Sequence, residues 1–369
     1  MVKKKHKKRT HYDLSPSQSD RWLVCGGSVN LIASAGIEED EDTDLDSPSN
    51  RGTAAHEMLE HALNKGISPF NFDKVKFNGR TIEAHNVEAV DSAWTYIRKV
   101  AKGGDIYTEL EVPIACIGGS GHLDAAVMDE EDALHVFDYK NGRHLVSPKD
   151  NAQMKLYALG MMANFHKLKA TFPVVLHIVQ PMANSKVAEK WATTVGDLKK
   201  WALKVEKHVA KIRDGTARFN PGAKQCYWCP VKAECPALAK KAIAEARMDH
   251  AEKLGIEDLE QIDLEVIGMW LATVRERLSE ALAAGYKSDN WKLVYGSSPR
   301  RSVQDAHKAI IDFKKRGYDL NQVAPRMLAP LSVLDKVVGE KDLKRHIILK
   351  KSDTPTLARS DDERDEFQL

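Results

Sequence analysis

No apolar run in the 369 residues approaches the roughly 20 needed to cross a bilayer. The chain opens on Met-Val-Lys-Lys-Lys-His-Lys-Lys-Arg, without the apolar stretch of a secretory leader, so a cytoplasmic protein is expected. Cysteine is scarce: five residues, unevenly spaced, exclude a secreted disulfide framework, and a reducing compartment keeps them as thiols available to metal. An excess of one charge is missing too. Lys and Arg number 55 against 53 Asp and Glu, a formal net charge of +2, so a surface for a polyanion has to come from local segregation. Residues 3–9 are almost all Lys or Arg and residues 38–46 are acidic. Without further context these are a solvated arm and a surface loop.

What is present suffices for an ordinary core, with 43% hydrophobic and 29% charged residues. The length suits a main domain with an appendage. The organisation expected is a basic arm over 1–12, a main domain over 13–245 and a helical appendage over 246–369. Ser15-Pro16-Ser17 starts a short helix that runs to Cys25, stopped by Gly26-Gly27. Apolar spacing gives helices over 52–64 and 83–101. The period then changes to strands over 107–115, 121–128 and 133–140, with a polar turn at 129–132. A helix over 150–165, a strand over 172–179 and a helix over 195–212 complete an α/β core.

Chemistry-bearing residues fall in order along that core: Gly52-Thr-Ala-Ala-His56, Gly121-His-Leu-Asp124, Asp138-Tyr139-Lys140 and Gln153-x3-Tyr157. A turn centred on 130 and 131 sets Asp124 nearly opposite Asp138, so both carboxylates reach one cation from neighbouring strands. Period two then puts Lys140 beside Asp138 while Tyr139 points away and offers its backbone carbonyl. His56 completes the ligand set as a neutral imidazole, and the donor set suits Mg2+ or Mn2+. Each motif alone is weak: Asp-x-Lys is common by chance, a lone helical His is more often packed or solvated, and Gln-x3-Tyr is two helix neighbours. Their order is stronger. Facing carboxylates in strands repel unless something positive lies between them, and cation, carboxylates and a basic group are what phosphodiester hydrolysis needs.

Four cysteines bracket this set: Cys25 alone, then Cys226, Cys229 and Cys235 as C-x2-C-x5-C. Structural zinc sites more often pair two C-x2-C knuckles, but four thiolates suit zinc or iron, and spacing alone does not decide. Cys116, between Ala115 and Ile117, reads as an ordinary buried cysteine.

Together these residues resemble the RecB-like branch of the PD-(D/E)xK nuclease superfamily, in its iron-sulfur group with the AddB nuclease domain and the CRISPR-associated four-cysteine nucleases. The resemblance covers residues 13–240. It implies a restriction-endonuclease-like core, a central mixed β-sheet flanked by helices, with a small α-rich C-terminal appendage. It makes His56, Asp124, Asp138 and the Tyr139 carbonyl metal ligands and Lys140 the residue that orients or activates water, with Gln153 and Tyr157 on the substrate side. Glu60 also matches the family's helix pattern, and Glu109 is a further acidic participant. Cys25, Cys226, Cys229 and Cys235 become ligands of a [4Fe-4S] cluster. Asp138 stands where some relatives have Glu. The layout is similar to an uncharacterised family frequent in bacteriophages and prophages. The implied activity is a Mg2+- or Mn2+-dependent DNA exonuclease acting in recombination, replication or end processing in a bacterial cytoplasm, with a recombination or single-strand annealing protein as partner.

Two alternatives stand beside it, a non-catalytic iron-sulfur DNA-binding adaptor and a zinc-stabilised structural protein. Beyond residue 245, helices are expected over 259–284, 305–315, 331–338 and 340–347, a strand over 291–295 and a polar turn over 296–301. Arg300, Arg301, Lys308, Lys314, Lys315 and Arg316 offer a basic path for DNA on an otherwise structural appendage, and the acidic tail reads as a frayed terminus.

Overall fold

The computed structural model describes residues 14–369 apart from 37–43, 46, 73–74, 130–131, 166–167, 184–185, 247–254, 296–299, 325–327, 339, 351–354, 361, 363, 365 and 368–369. The basic arm, most of the acidic run and residues 296–299 of the expected turn lie outside the described residues. The chain divides into two compact units after Trp270.

The first unit is built on five strands, β1 (Ile106–Ile114), β2 (Gly119–Met128), β3 (Leu134–Tyr139), β4 (Pro173–Val179) and β5 (Ala188–Thr194), hydrogen-bonded in that order. The first three form an antiparallel meander. β4 joins β3 in parallel and β5 closes the edge antiparallel. The parallel step needs a crossover, which the helix Ala152–Met162 supplies. The result is a mixed α/β sheet flanked by helices, the class expected.

In chain order the main helices are α1 (Gly27–Ala35), α2 (Pro48–Lys65), α3 (Ala84–Ala101), α4 (Ala152–Met162), α5 (Val195–Arg213), α6 (Ala223–Tyr227), α7 (Pro236–Ala246) and α8 (Leu264–Ala283). Their starts follow local chemistry. Ser47 accepts from the Asn50 N–H with Pro48 in the first turn, Asn151 from Met154 and Thr194 from Asp197. On one face of the sheet, Met58, Leu59, Val90 and Ile97 of α2 and α3 bury Phe137 and Tyr139. On the other, Leu156, Met161, Leu198 and Val209 of α4 and α5 bury Val136 and Leu176.

Several expectations are corrected. The first short helix, Ser19–Trp22, ends before Cys25 rather than at it, and Gly26-Gly27 opens the next one, α1, with Gly26 as its cap at φ −60°. Glycine is required there by close approach, because a Cβ on Gly26 would stand 2.7 Å from Ala217 Cβ and one on Gly27 3.0 Å from the Phe219 ring. The helix expected over 259–284 breaks into Ile256–Leu259 and α8, since the Asp263 carboxylate accepts from the Val266 N–H at 3.1 Å and starts a new helix.

The second unit, expected to be α-rich, also holds two ladders. β6 (Trp291–Tyr295) pairs with the strand Pro355–Arg359, and β7 (Arg300–Val303) pairs with Ile347–Lys350. The helix expected over 340–347 ends at Leu343, and the β-branched Ile347 and Ile348 enter the strand. A small core of Ala309, Phe313, Val323, Leu334 and Leu343 packs with Val303 and Ile347 of the second ladder. Among the described residues of the tail, which was expected to fray, Phe367 is held: its N–H donates to Leu293 O at 2.8 Å and its ring lies 4.9 Å from that of Tyr295.

Candidate active site

The ladder pairs Thr108 with Ala125 and Leu110 with Leu123 on one side of β2, and Ala125 with Phe137 on the other. Glu109, Asp124 and Asp138 therefore stand in one row across three strands. Glu109 adopts φ +42°, the left-handed region, inside a strand. A non-glycine residue there is strained by about 1–3 kcal/mol. The strands also change face at this row. On β1, Ile106 packs with α2 and α3, whereas Leu110, Val112 and Ile114 pack with α4 and α5. On β2, Leu123 packs with α4 and α5, whereas Ala125 and Val127 pack on the opposite side. Strict alternation would keep Ile106 with Leu110 and Leu123 with Ala125. Both strands thus slip phase together where the acids sit.

That slip lets Asp124 meet a residue of α2. His56 Nδ1 lies 3.1 Å from Asp124 Oδ1, and the Tyr139 N–H donates to Asp124 Oδ2 at 2.6 Å. One donor atom each from His56, Glu109 and Asp124 lie within 4.8 Å of one another, the group able to hold a metal ion among the described residues. Asp138, only 3% exposed, heads an adjoining network. Gln153 Nε2 donates to its Oδ1 at 3.2 Å and to the Tyr157 hydroxyl at 3.0 Å, while Lys140 Nζ donates to Gln153 Oε1 at 3.4 Å. Lys140 Nζ is 2.9 Å from Asp138 Oδ2, an ion pair by distance. That oxygen is nevertheless fully buried and receives no hydrogen bond of acceptable direction. Tyr139 itself is buried in the core, its ring edge-on to His56.

The electrostatics follow from this crowding. Burial pushes Asp138 above the usual carboxylate range, reinforced by Asp124 and only partly offset by Lys140. Burial acts on Asp124 in the same sense, but His56, the Tyr139 N–H and Lys140 outweigh it and hold Asp124 low. Burial would lower His56 and Lys140, yet Asp124 raises the first and Asp138 the second. Burial and Asp138 keep Tyr157 a neutral phenol.

These groups line a cleft of about 700 Å³. Its rim adds Arg51, Arg143 and His85, polar residues outside any of the sequence motifs, and His122, which lies within Gly121-His-Leu-Asp124 but was given no role there. Gly52 lines it as well, and a Cβ there would meet nothing within 4 Å. Gly121 is different: a Cβ would stand 2.8 Å from both Pro16 Cγ and Tyr157 Cε1. Glu60, one turn beyond His56 on α2, is not among the lining residues. The oxygen and nitrogen donors, with one buried carboxylate oxygen lacking a hydrogen bond, fit a hard divalent cation.

The four cysteines come together elsewhere in the first unit. All are buried and free. Trp22 anchors the N-terminal end, donating from Nε1 to Ser15 O and accepting at its carbonyl from His208 of α5, both at 2.9 Å. Backbone N–H groups of Asn220 and Leu238 donate to Cys25 Sγ and Cys235 Sγ at 3.3 and 3.4 Å. Burial pushes the Cys226 and Cys229 thiols up; Cys226 also feels Cys229, Cys25 and Cys235, and Cys229 feels Cys235 and Cys25, with Arg21 acting in the opposite sense. Among the described residues no three of these sulfurs lie within 4.8 Å of one another. Cys116, half-buried, is pushed up to about 11 by burial.

Two crystal structures share parts of this chain's path. One is a provisionally named exonuclease from Eubacterium rectale, 10% identical, with a TM-score of 0.36 over 71% of this chain and 98% of that one. The other is SSO0001, 15% identical, with a TM-score of 0.25 over 57% of this chain and 94% of that one. The match of residues 11–365 to the family described as protein of unknown function (DUF2800) is far more extensive, and the chain belongs to that family.

Proposed function

We propose that the cleft is the active site of a Mg2+- or Mn2+-dependent deoxyribonuclease that hydrolyses phosphodiester bonds at DNA ends, on a RecB-like core tied together by a [4Fe-4S] cluster. The observation that carries the reading is the row of Glu109, Asp124 and Asp138, flanked by His56 and Lys140 in one cleft. Three carboxylates brought together in a largely buried site are costly unless cationic charge compensates them. His56, Asp124 and Asp138 would hold the cation, with Glu109 beside them and the Tyr139 carbonyl as the backbone donor. The chemistry such a cation supplies when bound is neutralisation of charge at the scissile phosphate.

The chain's own groups do the rest. Lys140, as an ammonium next to Asp138, orients the attacking water and offsets negative charge developing on phosphate oxygens. Gln153 links Lys140, Asp138 and Tyr157, so it fixes their relative positions on the substrate side. Arg51 and Arg143 at the rim suit neighbouring phosphates. At the cysteines, the N–H donors to sulfur and the four buried thiols support an iron-sulfur cluster, whose role would be to join the N-terminal helices to the segment after α5.

The test is degradation of end-labelled linear and closed circular DNA by anaerobically purified protein, with and without Mg2+ or Mn2+. Release of short products from linear DNA only, dependent on the cation, is expected. DNA binding without cleavage under any cation would instead identify an adaptor. Iron content and a broad visible absorption are expected, whereas colourless protein with stoichiometric zinc would overturn the cluster.

A further inference from the structure

Among the seven tryptophans only Trp228 is classed as exposed, at 85%, and the adjacent Tyr227 is 58% exposed. Their rings meet edge to face, with centroids 4.7 Å apart. Both sit in the two-residue loop between Cys226 and Cys229, which are buried. The cysteines fix the ends of the loop inward, and the two aromatics are left in water. Leaving a Trp and a Tyr side by side in solvent forgoes the burial that drives folding, which marks an interaction surface.

The surrounding segment says what kind of partner fits. From Lys199 to Lys241 the chain has eleven Lys and Arg against only Glu206, Asp214 and Glu234, an excess of eight positive charges in a chain whose formal net charge is +2. Most of these side chains are exposed, among them Lys204, Lys207, Lys211 and Arg218. Exposed aromatics on a basic segment are the pattern of single-strand binding, in which bases stack on rings and cations track the phosphates. Duplex DNA offers no free base faces to such rings. The loop is also connected to the cleft: Lys224 of α6 pairs with Asp20 at 3.0 Å, and Pro16 and Ser17, just before Asp20, line the cleft.

We propose that Tyr227 and Trp228 form a stacking site for single-stranded DNA, engaging the strand outside the cleft. The proposal rests on the nuclease reading for its choice of ligand, and the experiment separates the two. Fluorescence anisotropy of a labelled oligothymidine of about 16 nucleotides, a length within single-strand site sizes, is measured in EDTA so that binding is read without cleavage. Trp228→Ala should weaken this binding about tenfold, Tyr227→Ala less, and Trp228→Phe should restore most of it. Duplex of the same length should be affected little. Melting temperature and metal content of the variants should match the wild type, because the side chains are exposed and the cysteines intact.

Unchanged single-strand affinity in Trp228→Ala, or equal losses on duplex, would overturn the stacking site even if the protein cleaves DNA. Trp228-dependent binding by a wild type that cleaves nothing with Mg2+ or Mn2+ would support the stacking site and overturn the nuclease. Self-association of the wild type that Trp228→Ala abolishes, without any effect on oligonucleotide binding, would assign the surface to a second copy and also overturn the proposal.

Discussion

The cleft takes its polar groups from neighbouring strands and two helices, and these are matched within the protein: His56 with Asp124, Lys140 with Asp138, Gln153 with Tyr157. The cysteine pocket takes its donors from Cys25 and from Cys226 to Cys235, and surrounds them with Leu238, Ala242, Val266 and the partly buried Leu31 and Trp270. In the first, opposite charges are already compensated within the protein. In the second, thiols in an apolar setting offer each other nothing, and burial keeps Cys226 and Cys229 protonated. The difference separates the two jobs proposed for metal. At the proposed catalytic cleft it should matter for rate and little for folding, and at the cysteines the reverse.

The sharpest test of that contrast is Asp138→Ala, expected to lower cleavage by about 10^3-fold or more, at 1.36 kcal/mol per decade, with the melting temperature retained. Wild-type rates in single-turnover assays would end the site assignment. Next come Cys25→Ser and Cys229→Ser, each expected to lose the bound metal and to destabilise the first unit by about 2–5 kcal/mol, the range for losing a native covalent tie. Cys116→Ser should do neither, and iron content measured beside chemical denaturation would show it.

Acid provides a third probe, directed at the opposite side of the sheet from Asp138. His177 is buried, with Tyr96 OH 2.9 Å from Nδ1 and His135 Nδ1 3.0 Å from Nε2, and burial holds its pKa down at about 3. An unfolded histidine titrates near 6.5. Between those values the unfolded chain takes up a proton that the folded chain refuses. Stability is therefore full above about pH 6.5 and falls as pH drops towards 3, by about 3 kcal/mol at pH 4. Urea unfolding across this range should show that slope, and His177→Gln should flatten it; an unaltered slope would place the acid sensitivity elsewhere. The smallest effects concern two glycines of the cleft. Gly121→Ala should cost about 1–3 kcal/mol through its clash with Pro16 and Tyr157. Gly52→Ala, in helix α2 with open space around it, should gain up to about 1 kcal/mol.

Much of the cleft was legible because it follows from local periods. The polar turn expected between the two strands sets Asp124 nearly opposite Asp138, and period two puts Lys140 beside Asp138. The observed ladder has that register. The phase slip at Glu109 was not legible, since nothing in Tyr107-Thr-Glu-Leu-Glu-Val112 distinguishes a left-handed residue from an ordinary polar strand position. Strand β5 was missed because, as an edge, it buries little: none of its seven residues is fully buried and the alternation is faint. Gly26-Gly27 looked like a stop because sequence shows the absence of a side chain but not Ala217 and Phe219, nearly two hundred positions away, which require it.

The span of the cysteine site has a consequence for how the chain is made. Cys235 follows Cys25 by 210 positions, so at about 5–20 residues per second the ribosome delivers the last donor roughly 10–40 s after the first. The meander β1–β3 pairs neighbours in sequence and can form during that interval. Cys25 waits throughout as an unmatched thiol on a segment whose anchors, Ile212 for Asn30 and His208 for Trp22, also come late. The pocket is therefore closed at the end of synthesis of the first unit, and the metal group proposed for it would have to be supplied to a largely folded protein rather than to a nascent chain.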